Sequence, residues 1–165
     1  MELHGRNPLQ NVIAIVPARY ASTRLPGKML LDIGGKPLIV HTLSQAAKAK
    51  SVSRVIVATD DERIMNVIRD AGGEAVLTST DHNSGSDRLA EVAESLPEAS
   101  IIINVQGDEP LISPDVIDAA VNALISDPLA DMATTCEPIT SLWELLNGNA
   151  VKVVVGDKGY ALHFS

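Results

Sequence analysis

The sequence predicts an α/β fold built on a mostly parallel, doubly wound sheet with helices on both faces. Three observations carry this prediction. Short runs rich in Val and Ile recur along the chain at strand length, helical periodicity lies between most of them, and 165 residues that are 45% hydrophobic suffice for one core. The strands are expected at 12–16, 54–59, 74–78, 101–105 and 151–155, all as buried runs.

The helices follow from apolar spacing and end signals. Leu38, Leu43, Ala46 and Ala47 mark a first helix after Pro37. Ile64, Val67, Ile68 and Ala71 mark a second, which Gly72-Gly73 ends. A third runs from about Asp87 to Leu96. A fourth follows Pro114, a residue suited to a first helical turn, through Val116, Ile117, Val121, Leu124 and Ile125. Further expectations are a strand over 131–135, a short helix over 142–146 and an alternating strand over 159–165. Residues 1–11 read as a polar tail and 12–165 as one domain. Because the last strand stops without a turn or cap, the chain is expected to be the N-terminal part of a longer protein.

Composition excludes several functions. A net charge of -8 and a single Trp, a single Phe and two Tyr leave neither a broad basic face nor a stacking platform for nucleic acid. No run approaches the ~20 apolar residues of a membrane span, and residues 1–10 lack the apolar centre of a secretory signal, so a cytoplasmic location is expected. Cys136 is alone, and no Cys/His spacing suits zinc.

Within this acidic chain, residues 19–28 hold three cations, Arg19, Arg24 and Lys28, and no acid, directly after the first strand. Cations and free backbone N–H groups at a sheet's carboxyl edge suit phosphate, and Gly27 lets backbone approach an anion closely. Gly34-Gly35-Lys36-Pro37 is grouped with this loop. A solvated surface segment with incidental cations would have the same composition, and neither a Walker A nor a dinucleotide fingerprint is present.

Three further segments could carry chemistry. Asp108, in Gln106-Gly107-Asp108-Glu109-Pro110 after the fourth strand, could hold a hard cation such as Mg2+ against phosphate, or it could favour a turn before Pro110. Ser84 or Ser86 is a good N-cap for the third helix. Arg88, one turn in, opposes the helix dipole and therefore calls for a partner, such as the acceptors of a base. Asp60 or Asp61 as cap accounts for the acids after the second strand. His41, His82 and His163 are scattered and read as structural.

Taken together, the block from Pro17 to Lys28, Val57-Ala58-Thr59-Asp60-Asp61, Asp81-His82-x-Ser84-Gly85-x-Asp87-Arg88, the block from Asn104 to Pro110 and Tyr160-Ala161-Leu162 closely resemble the 3-deoxy-manno-octulosonate (KDO) cytidylyltransferases. The resemblance runs from Val12 to Ser165. It implies a three-layer α/β/α sandwich of the nucleotide-diphosphosugar transferase type, truncated at its C-terminus. The implied reaction moves CMP from CTP to KDO and releases pyrophosphate, for lipopolysaccharide biosynthesis in a Gram-negative bacterium. Arg19, Arg24 and Lys28 are implied to embrace the triphosphate, Ser22 to bind substrate, Asp108 to bind Mg2+, Ala18, Ser84, Gly85 and Arg88 to read cytosine, and Gln106 to face the sugar. Arg19, Lys28 and Asp108 are the implied catalytic residues. Sialic-acid cytidylyltransferases share the Pro-Ala-Arg plan but differ in the phosphate loop.

The resemblance also implies a longer protein that carries the sugar pocket, a second acidic metal ligand and homodimer contacts beyond these residues. The 165-residue chain is accordingly expected to be inactive alone. Two alternatives follow: a fragment that binds CTP without turnover, and a cytidylyltransferase for a related acidic sugar.

Overall fold

In the computed structural model, which describes residues 11–21 and 25–165, the chain divides into two compact units, Met1–Ala133 and Thr134–Ser165. In the first, strands β1 (Val12–Ala18), β4 (Arg54–Thr59), β5 (Glu74–Leu77) and β6 (Ile101–Asn104) form one parallel sheet in the order β5-β4-β1-β6. Between β1 and β4 lie a 3-10 turn (Lys28–Leu30), a small hairpin of β2 (Asp32–Ile33) and β3 (Lys36–Pro37), and helix α1 (Leu38–Ala46). Helix α2 (Glu62–Asp70) leads into β5, α3 (Gly85–Glu94) into β6, and α4 (Pro114–Ser126) follows it.

β1 is buried along its whole length, and the period of two sorts its side chains between two cores. Ala14, Val16 and Ala18 pack with Ile39, Leu43, Ile64, Ile68 and Ile117 of α1, α2 and α4. Ile13 and Ile15 pack with Ile56, Ala58, Val92 and Leu96 on the α3 side. The sandwich is therefore three-layered. Each fully buried Ile or Val contributes about 1.5–3 kcal/mol relative to exposure, so this central strand anchors the unit.

Helix ends are specified locally. The Asp61 side chain caps α2 by accepting the Arg63 N–H, and Gly72, at φ +77, ends it in a Schellman arrangement with Gly73 N–H on Ile68 O and Gly72 N–H on Arg69 O. Ser84 caps α3 in a reciprocal box with Asp87. Pro114 opens α4. Among the described residues no helix is long and apolar enough to cross a membrane.

Two expectations are corrected. Residues 131–135 form no strand. The run expected as a fifth buried strand belongs to the second unit, where β7 (Val153–Val155) pairs antiparallel with β8 (Ala161–Phe164) and is only partly buried to exposed. Val-rich segments suit any pleated surface, so composition did not separate this hairpin from the parallel sheet. The Gly34-Gly35 pair is the two-residue turn of the β2-β3 hairpin, both residues at positive φ, and its Gly35 N–H donates to Asp32 Oδ1. The expected short helix is present as α5 (Leu142–Leu146), capped by Ser141.

Candidate active site

Parallel pairing brings the carboxyl ends of β1, β4 and β6 to one edge, and β1 is the point where the chain path reverses, with β4 on one side and β6 on the other. Crevices at such a point are the usual ligand sites of open α/β sheets. Pro17, near the end of β1, is approached from two elements. A Cβ on Gly85, the first residue of α3, would lie 3.4 Å from Pro17 Cγ, while a Cβ on Gly107 would lie 2.8 Å from Pro17 O. Gly107 is thus fixed by close approach of backbone, and its carbonyl accepts a buried hydrogen bond of 2.9 Å from Thr42 Oγ1 of α1.

That packing carries Asp108 to the cations. Lys28, at the start of the 3-10 turn, donates from Nζ to Asp108 Oδ2 at 2.5 Å across 80 residues of sequence. Both side chains are partly exposed, so the pair contributes only about 0–1 kcal/mol to stability. Its value is the placement of opposite charges at the sheet edge. Gln106 turns back, donating from Nε2 to Asn104 Oδ1 at 3.0 Å.

Arg19 follows the buried Ala18 and is half-buried, with an Nη2 atom that is enclosed and has no hydrogen-bond partner. An orphaned guanidinium nitrogen at this edge is an unfilled donor. Its charge reaches both Asp87 and Arg88. The Asp87 carboxyl is held below the usual carboxylate range, first by the Ser84 hydroxyl and backbone, then by the charges of His82 and Arg19. Ser22 and Arg24 lie outside the described residues.

Arg88 has its partner inside the chain. It is completely buried, donating from Nη2 to Asp60 Oδ2 at 2.8 Å and from Nη1 to Thr78 Oγ1. Burial pulls its pKa down from the ordinary value, and the charge of Asp60 opposes that shift. Asp60 also accepts the Tyr20 N–H through Oδ1 at 3.2 Å. Sequence reasoning assigned Asp60 only a capping part, and the available signal was the doubled acid: Asp61 alone makes the cap. Tyr20 O accepts the Gly27 N–H at 2.9 Å, and the Arg63 guanidinium lies 3.5 Å over the Tyr20 ring. Thr42, Thr78 and Arg63 carried no sequence signal, because their roles depend on elements packed from elsewhere.

A divalent cation would find the carboxylate of Asp108 here. Among the described residues no group of three or more His, Cys, Asp or Glu side chains could hold a metal. An exposed carboxylate of this kind fits Mg2+, which keeps several waters and is commonly shared between one or two carboxylates and substrate phosphates.

The architecture is that of a nucleotide-diphosphosugar transferase fold. A cytidylyltransferase family model matches residues 13–165, and the chain belongs to that family. It is 54% identical over 154 residues to the 3-deoxy-manno-octulosonate cytidylyltransferase of Trichlorobacter lovleyi, covering 93% of this chain and 61% of that protein. The enzyme of the same name from Geobacter sulfurreducens is 52% identical over 155 residues, covering 94% and 62%. Among solved structures, CMP:2-keto-3-deoxy-manno-octonic acid synthetase complexed with CTP superposes with a TM-score of 0.87 at 41% identity, over 94% of this chain and 64% of that one. The chain therefore spans about three fifths of the length of the relatives it matches.

Proposed function

We propose that the chain carries the nucleotide-binding part of a cytidylyltransferase that transfers CMP from CTP to KDO. In this reading Arg19 and Lys28, with Ser22 and Arg24, hold the triphosphate. The anomeric hydroxyl of KDO attacks the α-phosphorus, the bond to the pyrophosphate oxygen breaks, and the hydroxyl proton passes to solvent. The products are CMP-KDO and pyrophosphate. Asp108 would hold Mg2+, which when bound supplies neutralisation of phosphate charge. No covalent enzyme intermediate is required, because positioning and charge neutralisation carry nucleotidyl transfer.

Cytosine offers an amine donor beside O2 and N3 acceptors, a pattern that backbone carbonyl and N–H groups can separate from uracil. The backbone near Ala18, with Ser84 and Gly85, takes that part, and Gln106 faces the sugar. Both terminal nitrogens of Arg88 are engaged within the chain and only its enclosed Nε lacks a partner, so in this reading Arg88 supports the site through Asp60 and Thr78. A homodimer, a cytoplasmic location and a place in lipopolysaccharide synthesis belong to the same reading.

The observation that carries it is the meeting of Lys28 with Asp108 at the edge where Arg19 has an unfilled donor. Calorimetric titration of the 165-residue chain with CTP and Mg2+ tests it. We expect one saturable site, weakened about 10- to 100-fold by Lys28→Met, the loss of one charge-assisted hydrogen bond. Unchanged affinity in that variant would refute the assignment. That no group of three or more potential metal ligands occurs among the described residues favours a second reading, a chain that holds CTP without turnover. Pyrophosphate release from CTP and KDO, measured on the same sample, separates the two.

A further inference from the structure

Arg88 presents a puzzle that base recognition does not resolve. A cation one turn into α3 opposes the helix dipole, yet this one is fully buried and paired with Asp60, whose side chain is only 13% exposed. Buried ion pairs are poor sources of stability, since packed apolar side chains do as well. The pair therefore calls for an explanation in what Asp60 holds.

Asp60 Oδ2 takes the Arg88 guanidinium, and that contact turns Oδ1 toward the Tyr20 N–H. The Tyr20 carbonyl in turn accepts the Gly27 N–H, closing the chain on itself. Arg19 stands one residue before this closure and Lys28 one residue after it. Thr78 supports the far side: its hydroxyl receives Arg88 Nη1 and donates to Thr59 O, tying the guanidinium to the end of β4. A continuous path of hydrogen bonds thus runs from α3 through Asp60 to the backbone that sets both cations.

We propose that Asp60, oriented by Arg88, is a positioning residue that fixes the spacing of Arg19 and Lys28 for a phosphate chain. Arg88 on this view acts through Asp60 and leaves the base alone. The inference rests on the nucleotide-binding reading for its ligand, but the closure it describes belongs to the free chain as well.

Asp60→Ala alone would strand a buried cation and could unfold the protein, so the informative variants remove both charges. Asp60→Asn/Arg88→Met keeps a carbonyl acceptor for the Tyr20 N–H, whereas Asp60→Ala/Arg88→Met lacks it. Amide hydrogen exchange at Tyr20 and Gly27 is followed in the free chain, with Ile15 and Val57 as core references, and CTP and UTP affinities are measured by calorimetry. In the Ala variant we expect exchange at Tyr20 and Gly27 to quicken about tenfold or more while the core amides hold, and both nucleotides to weaken by the same factor. The Asn variant, which keeps an acceptor but has lost the guanidinium that aims it, falls between the parent and the Ala variant. Asp60→Glu, which keeps the charge but moves the carboxylate by one methylene, folds and also quickens Tyr20 and Gly27.

Indistinguishable Asn and Ala variants, a parent-like Asp60→Glu, or a CTP-to-UTP ratio that changes when Arg88 is replaced would each overturn the proposal. If the parent chain binds no CTP, the nucleotide reading falls while the exchange comparison still decides the positioning role.

Discussion

Gly107→Ala is the sharpest test of how the candidate site is built. The added methyl would lie 2.8 Å from the Pro17 carbonyl oxygen and 3.3 Å from both Ile39 Cδ1 and Met29 Cε. The side-chain ends can yield, but the carbonyl belongs to the central strand, where Pro17 pairs with Ala58. Gly107 is equally constrained, since Thr42 holds its carbonyl. Relief therefore requires backbone movement of about half an ångström, at the ~1–3 kcal/mol typical of overpacking. For a chain of this size each kcal/mol lowers Tm by about 2–4 °C, so a fall of roughly 2–12 °C is expected. Asp108 is the next residue and shifts with it, so CTP affinity falls too.

Thermal melts followed by far-ultraviolet circular dichroism measure the first effect and calorimetry the second. Gly148→Ala is the control, because a Cβ there meets nothing within 4 Å. A Gly107→Ala melt within about 1 °C of the parent, or a Gly148→Ala melt that falls as far, would refute the reasoning.

Two further outcomes follow from local chemistry. Ser84→Ala removes the α3 cap and its reciprocal bond with Asp87, and should lower stability by about 1 kcal/mol in a urea titration; an unchanged midpoint would deny the cap that role. Asp118 is held below the usual carboxylate range by hydrogen bonds from the Ser51 hydroxyl, the Ser51 N–H and the Lys50 N–H. Its contribution is thus fully present above the unfolded value of about 3.9 and is lost as pH falls through the lower folded value. Asp118→Asn should be less stable than the parent at pH 7, with the gap closing in acid. A gap independent of pH would contradict this.

The parallel core was legible because burial on both faces leaves continuous Val and Ile runs, as in β1 and β4, and because capping residues announce their helices, as Asp61 and Pro114 do. The β2-β3 hairpin escaped because strands of two residues carry no alternation, and its Gly pair suited a phosphate loop equally well. The expected meeting of Lys28 with Asp108 is present. The Asp60 connection was hidden, since its two partners, Tyr20 and Arg88, lie 40 and 28 residues away and only the folded sheet brings them together. Arg88 was legible as an anomaly, although its partner was not.

The contact between Lys28 and Asp108 also has a consequence for synthesis. The ribosome delivers Lys28 ahead of Asp108 by 80 residues, so a nascent chain halted before β6 leaves that ammonium without its acidic partner. The paired arrangement accordingly arrives late, at the docking of the fourth parallel strand, and an interrupted translation product would lack it.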